Sequence, residues 1–238
     1  MRNLLLSTVM SLCCLVTGGA RLTRPIEADI LGFVADPKTQ DVRLFWKDDS
    51  GRLFGNLERL RAWCGPGRLI FAMNGGMFRQ DHSPVGLFIQ QGKKISPLDT
   101  SAGEGNFYLQ PNGVFYLTAD RRAGICPAKA FRDRGQVAYA TQSGPMLLID
   151  GSFHPAFREG SANVNIRNGV GILPDNRILF ALSKQPLNFY AFARFFRDRG
   201  CRNALYLDGF VSRAYLPEEG WIQTDGDFGV IIGVTIRQ

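Results

Sequence analysis

The chain has 238 residues, 45% hydrophobic and 21% charged, the make-up of a soluble globular protein with one sizeable core or two small ones. Its formal charge of +7 comes from basic residues dispersed among acids, in segments such as "RLRAW", "DRRAG" and "FRDRG". Without a lysine-rich tail this pattern argues against nucleic acid. It suits a surface that tolerates anionic partners: phosphorylated glycans, cell-envelope polymers or lipid head groups.

In chain order, Arg2, the apolar run Leu4 to Val16 and the small residues "TGGA" form a secretory signal pattern with cleavage after Ala20. The run is shorter than the ~20 residues a spanning helix needs. Residues 21–238 then form one exported domain, periplasmic in a Gram-negative cell and secreted otherwise. Cys64, Cys126 and Cys201 remain, enough for one disulfide and one leftover thiol but too few for a disulfide scaffold. No CxxC or His/Cys cluster points to structural zinc, and no motif calls for a cofactor.

Turn residues punctuate the chain at hairpin spacing. "VGLFIQ" and "KKISPL" flank "QG"; "NFYLQ" and "VFYLT" flank "PNG"; "PMLLI" and "SFH" flank "DG"; "GVGIL" and "RILFAL" flank "PDN". "DVRLFW" before "KDDSG" and a final "FGVIIGVTI" read as further strands. Two helices are predicted. Asn56 caps "LERLRAW", with Leu57, Leu60 and Trp63 or Cys64 on one face. Asn188 caps "FYAFARFFRDR", whose Phe189, Phe192, Ala193 and Phe196 recur at helical spacing before Gly200. "NALYLD" follows as a buried strand. The fold class is α+β: mainly antiparallel sheets built from consecutive hairpins, with helices packed on them, in a single domain.

Five places set polar groups beside glycine at the end of an apolar run. They are Asn74-Gly75-Gly76 with Asp81 and His82 behind; Glu104 in "SAGEGNF"; Ser143-Gly144 in "TQSGP"; Arg167 in "NIRNGVG"; and Asp208 with Ser212 in "LYLDGFVSR". A strand can deliver such a side chain to a sheet edge while glycine lets a ligand approach the backbone. Each also has an ordinary reading: Asn-Gly and Asp-Gly as turns, Arg167 as a surface ion pair, Glu104 as a loop residue, a lone histidine as structural. Ser143 lacks the first glycine of a nucleophile elbow.

Taken together and in order, "NGGMF", "SGPML", "IRNGVGI" and "LYLDGFVS" resemble the phosphodiester glycosidase family. "SPVGL", "GEGNF" before "PNGVFY", and "NFYAFARFFRD" bring it closer to exported bacterial members. The resemblance runs from about Leu69 to the end. It implies hydrolysis of a sugar-1-phosphodiester to sugar and phosphomonoester. Asn74, Gly75 and Gly76 match the family's Asn-Gly-Gly loop, Ser143-Gly144-Pro145 its Ser-Gly-Pro, and Arg167 with Gly171 its Arg-x-x-x-Gly. Asp208, Gly209 and Ser212 match its Asp-Gly loop, where Phe210 and Val211 replace small residues and could narrow the pocket.

A phosphate leaves as a stable anion, so the chemistry needs charge stabilisation and a carboxylate facing the sugar carbon more than a strong acid. On this reading Arg167 clamps phosphate, aided by Ser143; Asp208 is base or nucleophile; Glu104 is a second carboxyl; Asn74 hydrogen-bonds sugar or phosphate. Two other readings compete: a non-catalytic envelope protein that binds anionic glycan, and a serine hydrolase built on Ser143, His82 and Asp208.

Overall fold

The computed structural model describes residues 29–237; the predicted leader, residues 1–20, lies outside them. The chain opens with β1 (Ile30–Ala35), β2 (Gln40–Phe45), α1 (Leu57–Cys64) and β3 (Leu69–Asn74). Two hairpins follow, β4 (Phe88–Gln90) with β5 (Lys93–Ser96) and β6 (Gly113–Thr118) with β7 (Ala123–Pro127). Next come β8 (Val137–Ser143), β9 (Met146–Ile149), β10 (Ser152–Phe153), β11 (Asn168–Ile172) and β12 (Ile178–Ser183). Last are α2 (Phe189–Asp198), β13 (Ala204–Tyr206), β14 (Ala214–Leu216), β15 (Trp221–Ile222) and β16 (Ile231–Ile236).

The strands form three antiparallel sheets, ordered β1-β12-β11-β13-β9-β10, β15-β14-β3-β16-β2 and β5-β4-β8-β6-β7. This is the α+β architecture that the hairpin spacing predicts. Period-two alternation divides each strand between two layers. Along β12, Ile178, Phe180 and Leu182 enter a core shared by all three sheets, while Leu179 and Ala181 face α2. Phe180 stacks on Phe71 of β3 at 5.3 Å and meets Phe115 of β6 edge-on at 6.1 Å, so one ring links the sheets. α1 closes the outer face of the second sheet with Leu57 and Leu60.

Both helices begin as their caps predict. Asn56 Oδ1 accepts from Arg59 N at 2.9 Å, and Asn188 Oδ1 accepts from Ala191 N at 2.8 Å. Gly200, at φ +84°, ends the second. α2 lies close on β11 because that strand alternates glycine. A Cβ at Gly171 would come 2.6 Å from Phe196 and 2.8 Å from Cys201 Sγ. The glycines of "NGVG" therefore receive aromatic rings of the helix rather than a ligand.

Two local expectations differ. "NFYLQ" is not a strand: Asn106–Tyr108 forms a 3-10 turn that buries Phe107, whose carbonyl accepts from Asn112 Nδ2 at 3.0 Å. "GVFYLT" instead pairs forward with "AGICP", a hairpin whose "ADRR" turn carries no glycine. Cys64, Cys126 and Cys201 are all free thiols. Burial pushes Cys64 and Cys126 up to about 11 and Cys201 up to about 12. Iodoacetamide labelling mapped by peptide mass spectrometry is expected to leave these three slow to react in the folded protein and fast in denaturant.

Candidate active site at the meeting of three sheets

The ends of three strands, one from each sheet, converge on the segment after β13. Asn74 closes β3 and is buried; its Nδ2 donates to the Asp208 carbonyl at 2.6 Å, and its Oδ1 accepts from Arg213 N at 3.0 Å. Its own carbonyl accepts from Asn168 Nδ2 at 3.0 Å. Ser143 closes β8 and donates from Oγ to the Leu207 carbonyl at 3.2 Å. Within the first sheet, Tyr206 N donates to Pro145 O at 3.1 Å and Leu207 N to Asn168 O at 3.1 Å. The backbone that presents Asp208 is thereby held by all three sheets.

The Asp208 carboxyl is mostly buried, and that burial pushes its pKa up to about 6 against a weaker downward pull from the Phe210 backbone. Arg167, just before β11, is 1% exposed. Its Nε donates to Leu187 O at 3.0 Å and its Nη2 to Asn163 O at 3.0 Å and Asn163 Oδ1 at 3.1 Å. The guanidinium lies 3.6 Å over the Phe189 ring and 5.5 Å from the Tyr206 ring centre. Among the described residues no carboxylate forms an ion pair with it. Burial lowers its pKa, opposed by Tyr206, and a guanidinium so far above neutrality stays charged.

Tyr206 joins the two halves. Its ring flanks Arg167, and its hydroxyl accepts from Gly209 N at 3.0 Å, beside Asp208. Burial raises the phenol's pKa, and the Arg167 charge pulls it down. A buried cation without a counter-ion, a phenol and a carboxyl that titrates near neutrality can together bind an anion and move a proton.

The sequence pattern of the phosphodiester glycosidases matches residues 67–229. The chain belongs to the phosphodiester glycosidase family. It is 35% identical over 217 residues to the Escherichia coli K12 "Uncharacterized protein YigE", across 90% of this chain and 85% of that one. Its fold resembles the zebrafish N-acetylglucosamine-1-phosphodiester alpha-N-acetylglucosaminidase catalytic domain, auto-inhibited by its pro-peptide. That likeness has a TM-score of 0.53 at 17% identity and covers 90% of this chain and 91% of that one. A hypothetical protein from Synechocystis matches with TM-score 0.53 at 13% identity, over 87% of this chain and 59% of that chain. At such identities the likeness is one of fold.

Within this member of the family, several motif residues do other work than their residue types suggest. The Asn74 amide, expected to meet sugar or phosphate, binds the Asp208 loop instead. Gly75 and Gly76, expected to bare the backbone to a ligand, are buried against protein. A Cβ at Gly75 would lie 2.8 Å from Val230 Cγ1, and one at Gly76 would collide with Thr141 Oγ1. Gly144 likewise has Phe107 O at 2.8 Å from a would-be Cβ. Ser143 is fully buried on a carbonyl, and His82 Nε2 pairs with Asp227 Oδ1 at 2.6 Å, so no Ser143–His82–Asp208 triad assembles. Ser212 Oγ donates to Gly209 O at 2.8 Å and braces the Asp208 turn.

Phe210 is 94% exposed and Val211 packs on the α1 cluster, so neither side chain plugs the Asp208 site in the way the sequence suggested. Glu104 lies on an exposed loop. That loop is tied down at its start by Gln142, which accepts from Asp99 N at 2.9 Å, and at its end by Phe107 over Gly144. Tyr206, Asn168 and Gln142 are additions that residue types did not single out. The one trace of Tyr206 was its place two residues before Asp208 in "LYLD". Among the described residues, no three His, Cys, Asp or Glu side chains gather as metal ligands.

Two outcomes follow. The native Asp208 pKa of about 6 lies above the ordinary 3.8, so native protein holds the extra proton between these values and its stability falls as pH rises through them. Asp208→Asn is therefore expected to be more stable than wild type at pH 8, by up to about 3 kcal/mol. The advantage should vanish near pH 4, as read by urea denaturation. Asn74→Ala should cost about 2–4 kcal/mol in the same assay, because it leaves a buried carbonyl and N–H without partners.

Proposed function

We propose that this chain is an exported hydrolase that cleaves a sugar-1-phosphodiester, in a phosphate-linked glycan or cell-envelope polymer, to sugar and phosphomonoester. The observation that carries the reading is Arg167: a buried guanidinium with no carboxylate partner among the described residues, flanked by Tyr206, whose hydroxyl holds the Gly209 N–H next to Asp208, a carboxyl with a pKa near 6. Family membership supports the reaction class, and the zebrafish relative is named for a bond of that class. The leader pattern of residues 1–20 supports export.

In this reading a phosphate oxygen meets the Nη1 edge of the guanidinium, whose Nε and Nη2 are held by Leu187 O and Asn163, and the charge of the cation stabilises the departing phosphomonoester. Ionised Asp208 takes a proton from water as the water oxygen bonds to the anomeric carbon. The bond from that carbon to the phosphate oxygen breaks, and its electron pair leaves with the phosphate. The leaving group needs little protonation, which is why a second carboxyl held against the first is dispensable. Glu104, on its anchored loop, is placed in this reading at the sugar-facing rim. Because Phe210 points to solvent, the competing reading, an envelope protein that binds anionic glycan without turnover, draws no support from that side chain.

The test is a screen of sugar-1-phosphodiesters and phosphate-linked polymers, with phosphate esters identified by mass spectrometry. On a turned-over substrate, kcat/KM should rise as pH passes about 6, where Asp208 ionises. Asp208→Asn should lower kcat about 10²–10⁴-fold and Arg167→Ala about 10²–10³-fold, with circular dichroism unchanged. Full activity in both folded variants would refute the assignment; binding without turnover would point to the non-catalytic reading.

A further inference from the structure

The strands that carry the site at one end carry a basic groove at the other. A cavity of about 360 Å³ lies between β2 and β16 on one side and the β6–β8 pair on the other. Arg43, Arg68, Arg121 and Arg237 line it, with the Tyr139 ring beside them. A second cavity of about 590 Å³, mainly on the opposite face of the β6–β8 pair, meets the first at Thr118 and is lined by Arg122, Arg132 and Arg134. A third, of about 170 Å³, shares Arg43 and Arg68 with the first and reaches Trp63 on α1. Among the described residues Asp41 is the one carboxylate lining the three, and it pairs with Arg43 at 2.5 Å.

The other arginines keep most of their charge. Asp120 neutralises Arg122 at 2.9 Å. Arg237 Nη1 instead donates to Lys38 O at 2.7 Å, and Arg132 Nη1 donates to Lys129 O and Phe131 O at 2.9 and 2.7 Å. Carbonyls fix these side chains without cancelling their charge, so the groove is held ready for an anion that the protein does not supply. Arg68, Arg121 and Arg134 are exposed. Trp63, 47% exposed, is steadied by edge contacts to Phe45 and Phe54 at 5.8 and 5.6 Å while part of its ring remains open. An exposed aromatic beside fixed cations offers apolar stacking to a sugar face next to charge for a phosphate.

The register separates this groove from the catalytic centre. Ser143 pairs with Gly113 at the site end of β8 and β6, whereas Val137 pairs with Thr118 at the groove end. Ile231 pairs with Asn74 at the site end of β16, and Ile236 lines the groove. Five residue steps of β8, Ala138 to Ser143, span roughly 17 Å.

We propose that this groove binds a linear glycan bearing phosphate groups along its length, holding the polymer while the site at the far strand ends acts on it. The inference rests on the hydrolytic reading for the identity of the polymer, but its test measures binding without turnover, so the two can fail separately. By titration calorimetry, the full chain should bind a phosphomannan more tightly than the same mannan stripped of phosphate, and binding should weaken with added salt. Arg68→Glu with Arg121→Glu should lower that affinity about ten-fold or more, and leave cleavage of a short sugar-1-phosphodiester unchanged. Trp63→Ala should weaken phosphomannan binding and spare inorganic polyphosphate. Unchanged affinity in the double arginine variant, or equal binding of the phosphate-free mannan, would overturn the proposal. So would tighter binding of single-stranded DNA with the same number of phosphates.

Discussion

The amide of Asn74 is the contact on which the site's geometry depends. It sits where β3 ends, and it gives one donor to the Asp208 carbonyl and one acceptor to the Arg213 N–H. Those two backbone groups bracket the turn that carries Asp208 and Ser212. Asparagine alone among residues of its size offers a donor and an acceptor side by side in a neutral group. Aspartate would set an anionic oxygen against the Asp208 carbonyl, and leucine would leave both backbone groups buried and unpaired. Because β3 and β13 belong to different sheets, this amide also docks one sheet on another.

Burying Arg167 without a counter-ion carries a desolvation cost that the fold offsets in parts. Two carbonyls and an amide oxygen accept its N–H groups, and the Phe189 face takes the flat side of the guanidinium. Leu187 and Phe189 flank the Asn188 cap of α2, so the helix start that anchors the hydrophobic stripe also shapes the arginine's seat. The packing of α2 against the glycines of β11 is thus coupled to the position of the charge.

The sequence made the frame legible where the signal is local. Helix caps at Asn56 and Asn188, hairpins around "QG", "DG" and "PDN", and the buried strand before Asp208 all depend on residues within a few positions of each other. The site is legible only as a set of positions. Glycine reports that a Cβ is unwelcome, yet it does not say whether a ligand or a neighbour fills the space, and Gly75, Gly76, Gly144 and Gly171 are all covered by protein. Ser143 and Asn74 are polar residues whose partners lie 64 and 134 positions away, beyond the reach of spacing arguments. Tyr206 looked like one more strand residue, because its hydroxyl acquires meaning only when β13 is laid beside Arg167. Phe210 misled in the other direction: a bulky residue beside a functional loop suggested a plug, but the 3-10 turn after Asp208 carries its ring into solvent.

The separation of Arg167 from Asp208 matters as much as their shared site. Had the guanidinium and carboxylate formed a salt bridge, the pair would have held Asp208 well below its ordinary pKa and cancelled the cation. Asp208 would then be too weak a base, and Arg167 would have little charge left for a phosphate. Instead, among the described residues no arginine acts on the Asp208 carboxyl; burial moves it upward, against a weaker pull from the Phe210 backbone. Tyr206 sets its ring beside Arg167 and its hydroxyl on the Gly209 N–H next to Asp208, a neutral neighbour that cancels neither charge. An anionic substrate entering this arrangement would bring the counter-charge that the folded chain withholds from Arg167, and it would leave Asp208 available for the proton.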